Sequence, residues 1–351
     1  MIFPKTSRKP VLLLGNGVRA AGAEALARDL IDRTHIPALT TMNAVDLVIG
    51  EHRIGFIGTH GARAANMILD ECDLIISVGA RLSIRQIGGK PERFAPNAKL
   101  IRADIDLYEL NRDVKPDEEK HLADAADFLR ALLAEDIPDY SEWLGLCLKA
   151  RDILKGLDES EGNRAVGAIS KLLPENAIVA VDVGQHQCWC AQSLNLKGPN
   201  SRMLIAGGFG AMGCALPMAI GASVSSGGGI VYCVTGDGGL QMNIQELEAV
   251  HREGHPIKIV VLNNRVLGKI YETQRGSYGG RFACTSKESG YTVPDFARIA
   301  NAYGIRAATL GSYEELRITP IGLPMAIRAC SMWFLRKIAG WSRKSIGHRA
   351  R

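Results

Sequence analysis

A chain of 351 residues is longer than one hydrophobic core ordinarily organises, so two domains are expected. Apolar residues make up 46% and charged residues 23%, which excludes a disordered chain, and no uncharged apolar run is long enough to span a bilayer. The net charge of +5 is local: residues 318–351 hold seven Lys or Arg and no acid, leaving 35 basic against 37 acidic residues elsewhere, a net of −2 that gives no support for nucleic-acid binding.

Lys5, Arg8 and Lys9 ahead of Val11-Leu12-Leu13-Leu14 imitate a signal peptide. Gly15-Asn16-Gly17 breaks the run and no cleavage site follows, so a buried first strand and a cytoplasmic protein are expected. The eight cysteines are scattered, and Cys188 and Cys190 form a CxC with no second pair. That spacing fits no common zinc site, and the cysteines read as small core side chains.

Strands and helices alternate over the first domain, 1–133. Val11–Leu14 is a strand, Ala20–Arg33 a helix, Pro37–Thr41 a strand, Ala62–Leu69 a helix, Leu74–Val78 a strand, and Leu100–Asp104 continues the pattern. The alternation predicts an α/β fold with a doubly wound, mostly parallel sheet. Gly15-Asn16-Gly17 with Gly22 imitates a dinucleotide fingerprint with its third glycine misplaced. Alone it would suggest an NAD-dependent dehydrogenase, but no catalytic acid–base pair accompanies it. A charged connector is expected over 134–163, its exposed end at Asp158–Asn163.

The second domain, 164–317, opens with a strand, Ile178–Val183, that ends in Gly184-Gln185-His186-Gln187. Gly207–Gly213 is a glycine-rich turn entering a helix at Leu216–Ala222. The strand Ile230–Val234 leads to Gly236-Asp237-Gly238-Gly239, a helix with Ile244, Leu247 and Val250 at helical spacing follows, and a strand at Ile257–Leu262 ends on Asn263-Asn264. Two parallel strands joined by one helix bring Asp237 and Asn264 to one C-terminal sheet edge, where open α/β sheets bind ligands. One carboxylate and one amide oxygen suit Mg²⁺, which keeps few protein ligands and takes the others from a diphosphate and water. The glycines let backbone N–H groups approach phosphate oxygens. Gln241, Glu246 and Glu248 read as surface positions of the intervening helix. Over 318–351 the acids vanish and the text changes character, which suggests a replaced, atypical basic tail.

The string GDGGLQMNIQEL, with Asn263-Asn264 one strand–helix–strand unit later, resembles the diphosphate-binding motif of thiamine diphosphate (ThDP) enzymes in the acetolactate synthase branch. DVGQHQCWCAQ at 182–192 and the turn at Gly207–Gly213 match the same family. The resemblance implies Mg²⁺ on Asp237, Asn264 and the Val266 carbonyl. It places Gly184, Gln185, His186, Gly210, Gly236, Asp237, Gly238, Gly239, Asn243 and Asn264 around the cofactor, with Met212 as the apolar prop that bends it.

In the first domain, GFIGTHG at 55–61, Gly79-Ala80-Arg81, FAPNAK at 94–99 and Asp104-Ile105-Asp106 resemble the central domain of these enzymes. Some members hold FAD there, and Gly58, His60, Gly79, Ala80, Arg81, Arg85, Asp104 and Asp124 match positions near the flavin. Ser83 departs from the common acid, and Gln86-Ile87-Gly88 replaces the usual segment.

The implied activity is decarboxylation of a 2-oxo acid such as pyruvate with carboligation to a second, and a 2-oxo acid decarboxylase or another carboligase is the alternative within the family. The family's glutamate, which hydrogen-bonds the cofactor's pyrimidine ring, belongs to a pyrimidine-binding domain that this chain does not resemble. The resemblance therefore implies a homodimer or a separate pyrimidine-domain subunit. A non-catalytic ThDP/Mg-binding subunit or remnant is the rival expectation. Without the family's closing strand, an unpaired apolar sheet edge and poor solubility are expected.

Overall fold

The computed structural model describes residues 2–157, 159–317 and the backbone of 331–336. The chain divides into two compact units, Met1–Asp158 and Glu159–Arg351.

The first unit holds five strands: β1 (Pro10–Leu14), β2 (Ala38–Thr40), β3 (Leu74–Val78), β4 (Lys99–Asp104) and β5 (Glu119–Leu122). They run parallel in the order β2-β1-β3-β4-β5. The apolar run of β1 divides between the two faces: Leu12 and Leu14 join the helices Glu24–Thr34 and Ala125–Leu133, while Val11 and Leu13 join Arg63–Glu71 and Ser141–Lys155. A strand covered on both faces needs no polar alternation, which explains its unbroken hydrophobicity.

Two expectations change here. The single helix expected over Ala20–Arg33 is two, Gly17–Ala20 and Glu24–Thr34, because Gly22 takes a left-handed φ of +63° between them. The expected connector, 134–163, is divided between the units: the helix Ser141–Lys155 buries Leu144 and Cys147 in the first, and Glu161–Ser170 belongs to the second.

In the second unit, β6 (Ile178–Val181), β7 (Arg202–Ile205), β8 (Val231–Gly236), β9 (Ile257–Asn263), β10 (Arg306–Leu310) and β11 (Ser331–Arg336) form one parallel sheet. Its order is β10-β11-β9-β8-β6-β7. The helices Ala215–Ser225, Glu246–Arg252 and Phe296–Ala302 share a core with β6, β8 and β9 through Ala219, Val250, Phe296, Ala180, Cys233 and Ile259.

The expected loss of a closing strand is corrected. β11 lies between β9 and β10, with Leu335 opposite both Leu262 and Leu310, so β9 is paired on both sides and its edge is not open. The rest of the atypical tail, 318–330 and 337–351, lies outside the described residues.

Candidate cofactor site

Parallel register decides what meets at the C-terminal edge of the second sheet. Val181 pairs with Val234 and Gly236 with Leu262, so Asp182, Asp237 and Asn263-Asn264 leave their strands at one end. β7 and β8 lie on opposite sides of β6, which makes the β6/β8 boundary the point where strand order reverses. Crevices form there because successive connections diverge to either side. A cavity of about 210 Å³ opens at that boundary.

Gly184, Gln185, His186, Gly210, Met212, Gly236, Asp237, Gly238, Gly239, Asn264 and Val266 all line it. Asn243 does not: its Nδ2 donates to the Gly213 carbonyl at 2.9 Å, bracing the glycine-rich turn from behind. Gln241 is half-buried rather than fully exposed; its Nε2 reaches the Asp237 carbonyl (3.5 Å) and the Tyr291 hydroxyl (3.4 Å).

Asp182, which sequence reading treated only as a strand end, organises the site. It is 1% exposed. Its Oδ1 accepts from the Val183 N–H (2.7 Å) and the Gly213 N–H (2.9 Å), and its Oδ2 accepts from Thr235 Oγ1 (2.9 Å). One carboxylate thus ties the end of β6 to the glycine turn and to β8. A Cβ on Gly239 would stand 2.4 Å from Asp182 Oδ2, so that glycine is required by the brace whatever binds.

Asp237 is 3% exposed. Its Oδ1 accepts the Gly238 N–H at 2.8 Å, while Oδ2 is buried without a hydrogen-bond partner among the described residues. Desolvation pushes its pKa up to about 6 against the Gly238 and Arg265 N–H groups and the Tyr291 hydroxyl. The last two lie close enough to favour the carboxylate without a well-formed hydrogen bond to Oδ2. Burial and then the Asp237 charge push the Tyr291 hydroxyl up as well. Burial drives His186 down to about 4 against the pull of Asp182, so the ring is neutral near pH 7. Its Nε2 and Trp189 Nε1 are likewise buried without partners among the described residues. Asn264 accepts the Val266 N–H on Oδ1 at 3.1 Å and donates from Nδ2 to Gln185 Oε1 at 3.0 Å.

The donor set fits a hard divalent cation held by one carboxylate oxygen, one amide oxygen and a backbone carbonyl. No cluster of three His, Cys, Asp or Glu among the described residues could hold a metal alone, so such an ion must draw ligands from a bound anion and water. Trp189, Leu267, Gly268, Lys269 and Ile270 also line the cavity and were not singled out from sequence. Trp189 lies on the helix Gln185–Ser193, and the other four follow from the chain turning back after Asn264 into the helix Gly268–Ser277.

The residues named for FAD share the corresponding edge of the first sheet. Gly58 and His60 follow β2, Gly79, Ala80 and Arg81 follow β3, Arg85 lies in the short helix Ile84–Ile87, Asp104 ends β4 and Asp124 follows β5. A Cβ on Gly58 would stand 2.4 Å from the Arg85 carbonyl. Arg81 Nε pairs with Glu109 at 2.6 Å, Asp104 accepts the Asp106 N–H, and Asp124 caps the helix Ala125–Leu133 through the Ala126 N–H.

Residues 182–319 match the C-terminal TPP-binding domain of thiamine pyrophosphate enzymes, and residues 5–132 match the central domain of the same enzymes. The chain is 36% identical over 322 residues to the acetolactate synthase isozyme 1 large subunit of Escherichia coli, which covers 88% of this chain and 55% of that protein. It is 35% identical to a probable acetolactate synthase large subunit of Methanocaldococcus jannaschii, over 89% of this chain and 54% of the relative. The Corynebacterium glutamicum acetolactate synthase large subunit is 36% identical, over 88% and 51%. The chain spans about half the length of the curated relatives it matches. By two matched domains in the family's order and relatives more than a third identical over most of its length, the chain belongs to the thiamine diphosphate-dependent enzymes, in their acetolactate synthase-like branch.

Proposed function

We propose that the second unit binds thiamine diphosphate through one Mg²⁺ at the β6/β8 crevice. The site so loaded serves acetolactate synthase-like chemistry, in which a 2-oxo acid such as pyruvate loses CO₂ and is joined to a second 2-oxo acid. The observation that carries the reading is Asp237, a buried carboxylate whose Oδ2 has no partner within the described residues. A buried charge left in that state is costly, and a cation supplies the missing partner.

Asp237 Oδ2, the second lone pair of Asn264 Oδ1 and the Val266 carbonyl would hold the ion. Gln185 keeps one of its two amide hydrogens for a diphosphate oxygen, since the other goes to Glu272. His186, neutral and buried, adds a ring nitrogen without adding charge. Bound thiamine diphosphate supplies a carbon nucleophile and an electron sink for the 2-oxo acid. Leu262, Leu267, Ile270 and Met212 wall the cavity with apolar surface, which keeps water from reactive carbon. In this reading the pyrimidine end of the cofactor is completed by a pyrimidine-binding domain, which none of the described residues supplies.

A flavin in the first unit is the less supported part of the reading. The residues named for it meet at one edge, yet the Gly58 N–H is taken by Asn66 Oδ1, and Arg81, Asp104 and Asp124 already have partners within the chain. Protein purified in the dark with no absorbance near 450 nm would remove FAD from the proposal.

Trp189 gives the cofactor site its own reporter, because it lines the cavity. Titration with thiamine diphosphate is expected to quench tryptophan fluorescence only when Mg²⁺ is present, and EDTA is expected to reverse it. Quenching that ignores Mg²⁺ would overturn the assignment of Asp237 and Asn264.

A further inference from the structure

We propose that Glu272 is a positioning residue for the ion site, acting on Asn264 through Gln185; the inference rests on the reading of this crevice as a Mg²⁺–diphosphate site. The Val266 N–H donates to Asn264 Oδ1 at 3.1 Å, Asn264 Nδ2 donates to Gln185 Oε1 at 3.0 Å, and Gln185 Nε2 donates to Glu272 Oε1 at 2.7 Å. The two ends of this chain of bonds cannot be inverted. A peptide N–H only donates and an ionised carboxylate only accepts.

Between them stand two carboxamides, each of which could turn end for end with little change of shape. With both ends fixed, one arrangement alone makes all three bonds, and it presents the oxygen of Asn264, not its NH₂ group, on the Val266 side where the ion ligands gather. The three dipoles also point the same way, so each bond strengthens the next.

Space around Gln185 fixes the middle of the chain. Gln185 is 7% exposed, and a Cβ on Gly268 would stand 2.1 Å from its Oε1. The first residue of the helix Gly268–Ser277 is therefore the seat on which the carboxamide rests. That helix has other tethers: the Leu267 N–H donates to the Thr285 carbonyl, Gln274 Nε2 donates to the Ala283 carbonyl and Thr285 Oγ1 donates to Gln274 Oε1. Glu272 is thus not needed to hold its own helix in place, which separates a positioning role from a structural one.

Outer hydrogen-bond partners of metal ligands are commonly worth about 10–100-fold in metal affinity. Glu272→Met removes the acceptor at similar length. Because Glu272 stands one bond beyond the ligand's own partner, the Mg²⁺ concentration that half-saturates thiamine diphosphate binding is expected to rise about tenfold, the low end of that range. Glu272→Gln keeps an acceptor oxygen and loses the charge, so it is expected to stay within about threefold of the parent. Gly268→Ala displaces Gln185 from the other side and is expected to match Glu272→Met, although alanine favours a helix. In the metal-free protein, with asparagine and glutamine labelled by ¹⁵N, the Asn264 side-chain amide signals are expected to move in Glu272→Met and to hold in Glu272→Gln.

Equal losses in Glu272→Gln and Glu272→Met would overturn the inference in favour of bulk charge. Unmoved Asn264 signals in Glu272→Met would overturn it outright. Failure of the parent protein to bind thiamine diphosphate with Mg²⁺ would instead overturn the site assignment, and the amide signals would still decide whether Glu272 orients Asn264.

Discussion

The two units carry the same device, a glycine-rich turn at the reversal point of a parallel sheet, and put it to opposite uses. In the first unit the Gly15 N–H donates to the Val78 carbonyl and the Gly17 N–H to the Gly79 carbonyl. A Cβ on Gly15 would stand 1.9 Å from the Gly79 oxygen, so these glycines exist to let two loops of the chain touch. The N–H groups that a dinucleotide phosphate would need are spent, and the NAD reading of Gly15-Asn16-Gly17 falls with them. In the second unit Asp182 takes up the Gly213 N–H and holds the turn back, leaving a cavity with Asp237 Oδ2, His186 Nε2 and Trp189 Nε1 unsatisfied among the described residues. A glycine motif reports close backbone approach; buried polar atoms without hydrogen-bond partners whose residues line one cavity, as Asp237, His186 and Trp189 do, point to a ligand as the approaching body.

The contrast can be broken most forcefully at Asp182. Asp182→Ala strands the Val183 and Gly213 N–H groups and leaves the Thr235 hydroxyl only the Gly236 carbonyl at 3.2 Å, and is expected to cost the second unit about 3 kcal/mol. Hydrogen exchange of β8 amides would show it, while β3 amides in the first unit should be unchanged.

The pH response sharpens the comparison next. Asp237, raised to about 6 from its ordinary 3.8, holds its proton more tightly when folded, so its contribution falls as pH rises through that window. His186, lowered to about 4 from 6.5, binds its proton more tightly when unfolded, so its contribution rises across nearly the same window. Each is worth at most about 3 kcal/mol and the two oppose. Metal-free Asp237→Asn is therefore expected to gain stability from pH 4 to 6.5, and His186→Leu to lose it, as measured by guanidinium unfolding; flat profiles in both would refute the burial argument.

Gly15→Ala forces the first unit's two loops apart and is expected to cost that unit about 1–3 kcal/mol, with no change in thiamine diphosphate affinity. The smallest effect is expected at Arg81, whose side chain is 72% exposed in its pair with Glu109. Arg81→Ala should move the first unit's stability by less than about 1 kcal/mol.

Much of this was legible in the sequence. Unbroken apolar runs such as Val11–Leu14 marked strands buried on both faces, and the paired Gly236–Gly239 and Asn263-Asn264 marked the sheet edge that carries the site. The break at Gly22 was hidden because apolar periodicity continues through it. Asp182, Gly268, Glu272 and Tyr291 were missed because their roles are contacts between distant segments, which no local string displays. β11 was missed for a different reason: the loss of acids drew attention from Met332-Trp333-Phe334-Leu335, an apolar and aromatic run of the kind that forms strands.

The central claim is that Asp237 is left unsatisfied for an ion. Calorimetric titration of the purified chain with thiamine diphosphate, with and without Mg²⁺ and beside Asp237→Ala, tests it most directly. The account predicts binding that requires Mg²⁺ and is lost in the variant while both proteins stay folded. Equal binding by the parent and the variant would contradict it.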